Sequence, residues 1–229
     1  MAGAVSRLRE ARDLGRTLGL RVAVERLLLG WERFQILQRA LVVEPILGRP
    51  ISDGPPPLEK HWVRCTDIYA HLPTLYKTTV DRRLRRVLEL GTRTGESTVA
   101  LCAAAKEIGG HVTSVDIEPC PQAEDEVRKA GLENVWTFIR SDDLALDWRE
   151  PIDHLFIDTS HTYDQTRREL EKYEPLVAAG GAVTLHDTTS HPDVWRAVAD
   201  HFRDRKDVRV FRYWHNNGLA LIEKVRAST

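Results

Sequence analysis

The chain has 229 residues, 42% hydrophobic and 29% charged, and its 33 basic and 34 acidic side chains leave a net charge of -1. That size suits one α/β domain with an extension, and the balanced charge argues against a generic nucleic-acid binder, which carries a strong basic excess. Three cysteines, Cys65, Cys102 and Cys120, lack metal-ligand spacing and point to a reducing, cytoplasmic setting. Arg and Glu interrupt every apolar run near the N-terminus, so neither a secretion signal nor a membrane span is expected.

Across residues 4–43, Leu8, Leu14, Leu18, Val22, Leu27 and Leu28 recur at helical spacing, and Trp31, Phe34, Leu37 and Leu41 continue the stripe. The expectation is a helical extension that packs on the main domain or on a second copy, making a homo-oligomer, or that closes over a substrate as a lid. Residues 48–57 contain Pro50, Gly54 and three consecutive prolines, which break regular structure. The expected units are therefore an extension over 1–57 and a main domain over 58–229, the latter starting with a helix over residues 66–80.

The main domain is organised around residues 87–98, an apolar strand ending Glu89-Leu90, then Gly91-Thr92-Arg93-Thr94-Gly95, then helix-forming sequence over 97–106. Gly91 and Gly95 suit a backbone with unusual dihedrals that lets a ligand approach, and Ser97 suits capping of the helix start. Such a turn presents backbone donors at the carboxyl end of a strand, where open α/β sheets bind ligands. The spacing is neither G-x-G-x-x-G nor a Walker loop. It resembles motif I of class I S-adenosylmethionine-dependent methyltransferases, acidic-x-Gly-x-x-x-Gly, with Arg93 at the usual central glycine. Residues 111–116 read as a second strand ending in Asp116, an acid placed to accept hydrogen bonds from ribose hydroxyls. A short polar helix over 124–130, closed by Gly131, and a third strand over 135–139 lead to Ser141-Asp142-Asp143.

A fourth strand ends at Asp158, in Ile157-Asp158-Thr159-Ser160-His161-Thr162-Tyr163. Thr162 and Gln165 form a capping-box pattern for a helix reaching residue 177, which places His161 in the turn at the carboxyl edge of the sheet. Ala179-Gly180-Gly181 is expected to end that helix, before a fifth strand over 182–185 that leads to His186-Asp187. Ends of neighbouring strands lie ~5 Å apart. Asp158, His186 and Asp187 then either converge on a divalent cation or cap the strand ends and contact substrate. A helix over 192–203 and strands over 208–213 and 219–223, joined by Asn216-Asn217-Gly218, close the chain as a hairpin.

From Val87 to Glu223 the order of elements resembles a class I methyltransferase, which implies a Rossmann-like α/β sheet of strand order 3-2-1-4-5-7-6 with strand 7 antiparallel. The segment around Asp158, with Gly180-Gly181 and His186-Asp187, more narrowly resembles a bacterial small-molecule O-methyltransferase group. That group includes metal-dependent sugar and macrolide O-methyltransferases and cephalosporin hydroxylase-like proteins. The resemblance implies that Glu89, Gly91, Thr92, Gly95, Ser97 and Asp116 bind S-adenosylmethionine, with Asp142 or Asp143 meeting the adenine amino group. It also implies Asp158 and Asp187 as ligands of Mg²⁺ or another divalent cation, to which the reading of the strand ends adds His186. His161 matches a proposed general base, and an ordinary imidazole is mostly neutral at pH 7. Two departures stand out. Ser160 replaces an acid found in some members, and His186 replaces a Glu or Asp found in several. The implied activity is methylation of a hydroxyl on a small molecule such as a sugar or natural product. The alternatives are a metal-dependent hydroxylase-like enzyme on the same scaffold and a non-catalytic cofactor-binding module.

Overall fold

Short apolar runs alternating with amphipathic segments fold as alternating strands and helices. A computed structural model describes residues 66–225. A 3-10 turn, Tyr69–His71, leads into α1 (Leu72–Arg82), followed by β1 (Arg86–Leu90), α2 (Glu96–Ile108), β2 (His111–Asp116), α3 (Pro121–Lys129) and β3 (Trp136–Arg140). The second half runs β4 (Ile152–Ile157), α4 (Tyr163–Tyr173), β5 (Val177–His186), α5 (Pro192–His201), β6 (Val208–Tyr213) and β7 (Leu219–Lys224). One seven-stranded sheet has the order β3-β2-β1-β4-β5-β7-β6. Strands β1 to β5 pair in parallel and β7 is antiparallel to both β5 and β6. This is the order the resemblance implied.

The two-residue period of a strand sends alternate side chains to opposite faces. In β1, Val87 packs with Leu72, Leu75, Val99 and Leu101 of α1 and α2, whereas Leu88 and Leu90 pack with Leu170, Val194 and Val198 of α4 and α5. The strands therefore read as nearly continuous apolar runs, as parallel strands covered on both faces do. Their carboxyl ends converge on one edge, which carries every candidate residue discussed below.

Two local expectations shift. α1 starts at Leu72 rather than at residue 66, with Pro73 in its first turn, where the missing N–H costs nothing. Ala179-Gly180-Gly181 does not end a helix: α4 stops at Tyr173, and the glycines lie inside β5, where its register against β4 shifts. A Cβ on Gly181 would meet the Asp153 carbonyl oxygen at 2.6 Å, so strand-to-strand approach is what requires glycine there. No helix among the described residues is long and apolar enough to cross a membrane. The extension, its lid or oligomer role and the boundary near residue 57 lie outside the described residues.

Candidate active site

At the carboxyl edge of the sheet, the turn after β1 is held by backbone approach. Gly91 has φ +86°, and a Cβ there would stand 2.0 Å from the carbonyl oxygen of Asp158. Gly95 has φ +84° and abuts α3, where an added Cβ would stand 2.7 Å from the Ala123 Cα. Both glycines let the protein's own backbone come close, a use the sequence reading assigned to a ligand. Arg93, at the usual glycine position, has φ +43°, so the turn keeps the left-handed geometry despite a side chain. Its guanidinium pairs with Asp67 at 3.0 Å.

Glu89 is fully buried and accepts hydroxyl hydrogen bonds from Ser97 (2.6 Å), Thr98 (2.7 Å) and Ser114 (2.5 Å). Burial pushes its carboxyl up to about 7, against the downward pull of those hydroxyls. Ser97 thus turns inward and does not cap α2, whose N-cap is Gly95 with no side-chain hydrogen bond. An uncapped helix start with a positive dipole end favours a negative ligand group. The hydroxyl of Thr92 is buried beside it without a partner. Asp116, at the end of β2, accepts from the Thr92 and Arg93 amides through Oδ2 (2.8 and 3.1 Å) and from the Glu118 amide through Oδ1 (2.9 Å). Burial raises its carboxyl, but the three amides outweigh that and hold it below the ordinary range. After β3, Asp142 is exposed and accepts from the Leu144 amide at 2.8 Å, while Asp143 is buried and accepts from Gln165 at 3.1 Å. The two acids thus face different environments, Asp142 toward the rim and Asp143 into the protein.

A second candidate cluster lies across β4 and β5. These strands pair Ile157 with Leu185, so the residues just beyond, Asp158 and His186-Asp187, meet. His161 and Asp187 both adopt left-handed backbone, φ 57° and 60°. Such strain in non-glycine residues gathers at functional sites. His161 Nε2 stands 3.1 Å from Asp158 Oδ1 and 3.0 Å from Asp187 Oδ2. His186 Nε2 lies within reach of the Asp67 and Asn216 carbonyls (3.1 and 3.3 Å), so it carries the proton. His186 Nδ1 then faces Asp158 Oδ1 and Asp187 Oδ2, each at 3.5 Å, and is buried without a hydrogen-bond partner.

Two carboxylates and a ring-nitrogen lone pair converging without a cation would repel one another. One ligand atom from each of the three residues lies within 4.8 Å of the others, a spread that bonds of ~2.1–2.5 Å to one cation can span. Asp158, His186 and Asp187 therefore fit a small divalent cation. Without a cation, protonation of the two rings supplies the positive charge in its place. Burial raises Asp158, yet His186 and His161 bring it down to about 2. Burial also raises Asp187, but the neighbouring His161 and His186 rings hold it far below the carboxylate range. Burial lowers His186, and Asp158 and Asp187 more than reverse that. Asp158 and Asp187 raise His161 to about 9 against its own desolvation, so in this arrangement the ring is an imidazolium and not the neutral base expected at pH 7.

Thr162 caps α4, accepting from the Gln165 amide at 3.3 Å, but the Gln165 side chain turns inward instead of completing the capping box. The sequence reading missed His191, whose ring stacks on His161 at 4.5 Å and 21° and whose Nδ1 lies 3.6 Å from Asp187 Oδ1. It follows Asp187 by four residues in a Thr-Thr-Ser loop, a signal with no meaning until that loop folds back. It also missed Asp67 and Asn216, whose carbonyls orient His186 from distant parts of the chain. A cleft of about 370 Å³ lined by Arg82, Arg83, Arg209 and Glu223 lies at the opposite, amino end of the strands, bordered by none of these residues.

Residues 88–188 match the family model of a methyltransferase domain. Among solved structures, the chain is similar to the S-adenosylhomocysteine-bound methyltransferase PaMTH1 of Podospora anserina, with 15% identity, 76% of this chain and 89% of that one covered, and a TM-score of 0.62. It is also similar to TomG, an O-methyltransferase involved in tomaymycin synthesis in Streptomyces achromogenes, solved with S-adenosylmethionine, at 17% identity, 85% and 97% coverage and a TM-score of 0.59. At such identities the structural likeness concerns the fold. Family match and strand order together define the class of fold: residues 88–188 match a methyltransferase domain, and the sheet has the Rossmann-like strand order of a methyltransferase fold. The matched segment runs from Leu88 in β1 to Thr188, just past Asp187, and so spans the turn after β1 and the cluster across β4 and β5.

Proposed function

We propose that the protein methylates a hydroxyl of a small molecule, and that Asp158, His186 and Asp187 hold a divalent cation in doing so. The convergence of the Asp158 and Asp187 carboxylates with the unpartnered His186 Nδ1 carries this reading. Asp116 holds ribose hydroxyls, the start of α2 faces the anionic end of the cofactor, and Asp142 at the exposed rim meets the adenine. Methyl transfer from a sulfonium is an in-line displacement. Holding the acceptor oxygen in line contributes on the order of 7–11 kcal/mol in favourable cases. A bound divalent cation would lower the acceptor's pKa and neutralise the carboxylates that keep His161 protonated. His161, at the mouth of the two carboxylates, then receives the acceptor's proton at Nε2, while His191 stacks against the ring and fixes its plane. The near-neutral charge favours a small acceptor over RNA.

The test is calorimetry with S-adenosylmethionine, followed by mass spectrometry of hydroxylated metabolites incubated with enzyme, cofactor and Mg²⁺. A methyl-sized mass gain that chelation suppresses is expected. One imidazole beside two carboxylates also resembles an iron triad. Bound iron with an oxygen-sized gain would replace methylation by hydroxylation.

A further inference from the structure

Behind the cluster across β4 and β5, a second carboxylate pair has no part in the chemistry above. Asp143, in the loop after β3, and Glu169, in α4, are 8% and 0% exposed. The Gln165 amide bridges them, donating to Asp143 Oδ1 at 3.1 Å and to Glu169 Oε1 at 2.8 Å. The Thr159 hydroxyl also donates to Glu169 Oε1, at 2.7 Å. The remaining oxygens, Asp143 Oδ2 and Glu169 Oε2, are buried and have no hydrogen-bond partner. The charged and titratable neighbours are committed elsewhere. Lys172 donates to the carbonyls of Asp143, Leu144 and Leu146, Tyr173 donates to the Asp143 carbonyl, and Asp142 is taken by the Leu144 amide. Among the described residues no cation pairs with either carboxylate. Two buried carboxylates joined only by one neutral amide cannot both stay ionised, whereas one proton between the free oxygens satisfies both.

We propose that Asp143 and Glu169 share one proton, and that this pair is a positioning device tying the loop after β3 to the loop after β4. Thr159, which Glu169 grips, follows Asp158 directly, and the Asp158 carbonyl packs against Gly91 in the cofactor turn. One clamp thus holds the loop of Asp142 and the loop of Asp158 and His161 in a common frame. What those loops do rests on the proposed function. The shared proton does not. Burial, and then the Asp143 carboxylate, push Glu169 up to about 9, in accord with a retained proton.

An acid raised above its unfolded value gives stability that is complete below the ordinary carboxylate range. That stability is lost as pH rises through about 9. Glu169→Gln keeps the geometry, because its amide donates to Asp143 Oδ2 without titrating, and Asp143→Asn does the same from the other side. The experiment is thermal melting of the full chain without ligand, wild type against each variant, from about pH 5 to pH 10. The expected result is a melting-temperature difference that moves in the variants' favour as pH rises. A difference that stays constant with pH overturns the proposal. If one amide variant does not fold, the other carries the same prediction. In turnover, Glu169→Ala should lose rate at every pH and Glu169→Gln should restore it, whereas a Gln variant as impaired as Ala refutes the clamp. Should no methyl transfer be found at all, melting still decides the shared proton, so the two readings fail separately.

Discussion

Glu89 and Asp187 stand on or just beyond central strands of the same sheet and are almost equally buried, at 0% and 4% exposure, yet they behave as opposites. Glu89 meets three neutral hydroxyls, and burial lifts its carboxyl to about 7. Asp187 meets His161 and His186, and burial is overridden so that it stays ionised. The difference teaches that burial does not decide the charge of an acid; its partners do. Hydroxyls bind α2 to the sheet and leave a carboxyl that tolerates neutrality. Imidazoles keep two carboxylates charged side by side, which suits them to a cation and a proton.

The strongest way to break this contrast is to remove the imidazole that joins both acids. His161→Ala should cut kcat by ~10²–10⁴ with S-adenosylmethionine affinity nearly unchanged. A variant that keeps most of its rate would reassign the base. Next comes pH. Because Asp158 and Asp187 raise His161 to about 9, its base form appears only as pH climbs through that value, so residual activity in chelator should rise toward pH 9. Saturating Mg²⁺ should move the rising limb to lower pH, and an identical limb with and without Mg²⁺ would sink the shared-site reading.

Asp116→Ala removes a charged acceptor worth ~1.5–3 kcal/mol, so cofactor binding measured by calorimetry should weaken by roughly 10- to 150-fold. Unchanged affinity in a folded variant would take Asp116 out of the site. The smallest functional effect is expected at Glu89. Glu89→Gln should cost stability, about 1–3 kcal/mol from hydroxyls left poorly paired, while cofactor affinity changes by less than about tenfold. A large affinity loss at an unchanged melting temperature would make Glu89 a direct ligand and erase the contrast with Asp187.

The strands, the two-glycine turn and the acids at the ends of β2, β4 and β5 were legible because periodicity and turn residues act over a few positions, whereas the strand order came only through the resemblance. That Asp158, His186 and Asp187 lie together was equally legible, since a strand's carboxyl end is set by the chain itself. Their states were not. Ser97 reads as a cap by its place before a helix, but only the register of β1 against β2 shows Glu89 and Ser114 waiting for its hydroxyl. Gly180-Gly181 reads as a helix stop, and only the approach of β4 shows it to be a strand bulge. His161 reads as an ordinary neutral imidazole because sequence carries no distances. Its charge was decided when β4 and β5 paired and brought Asp158 and Asp187 to 3.1 and 3.0 Å. His191 and the Asp143–Glu169 pair became visible for the same reason: electrostatic coupling depends on separation in space and on burial, which the folded sheet sets.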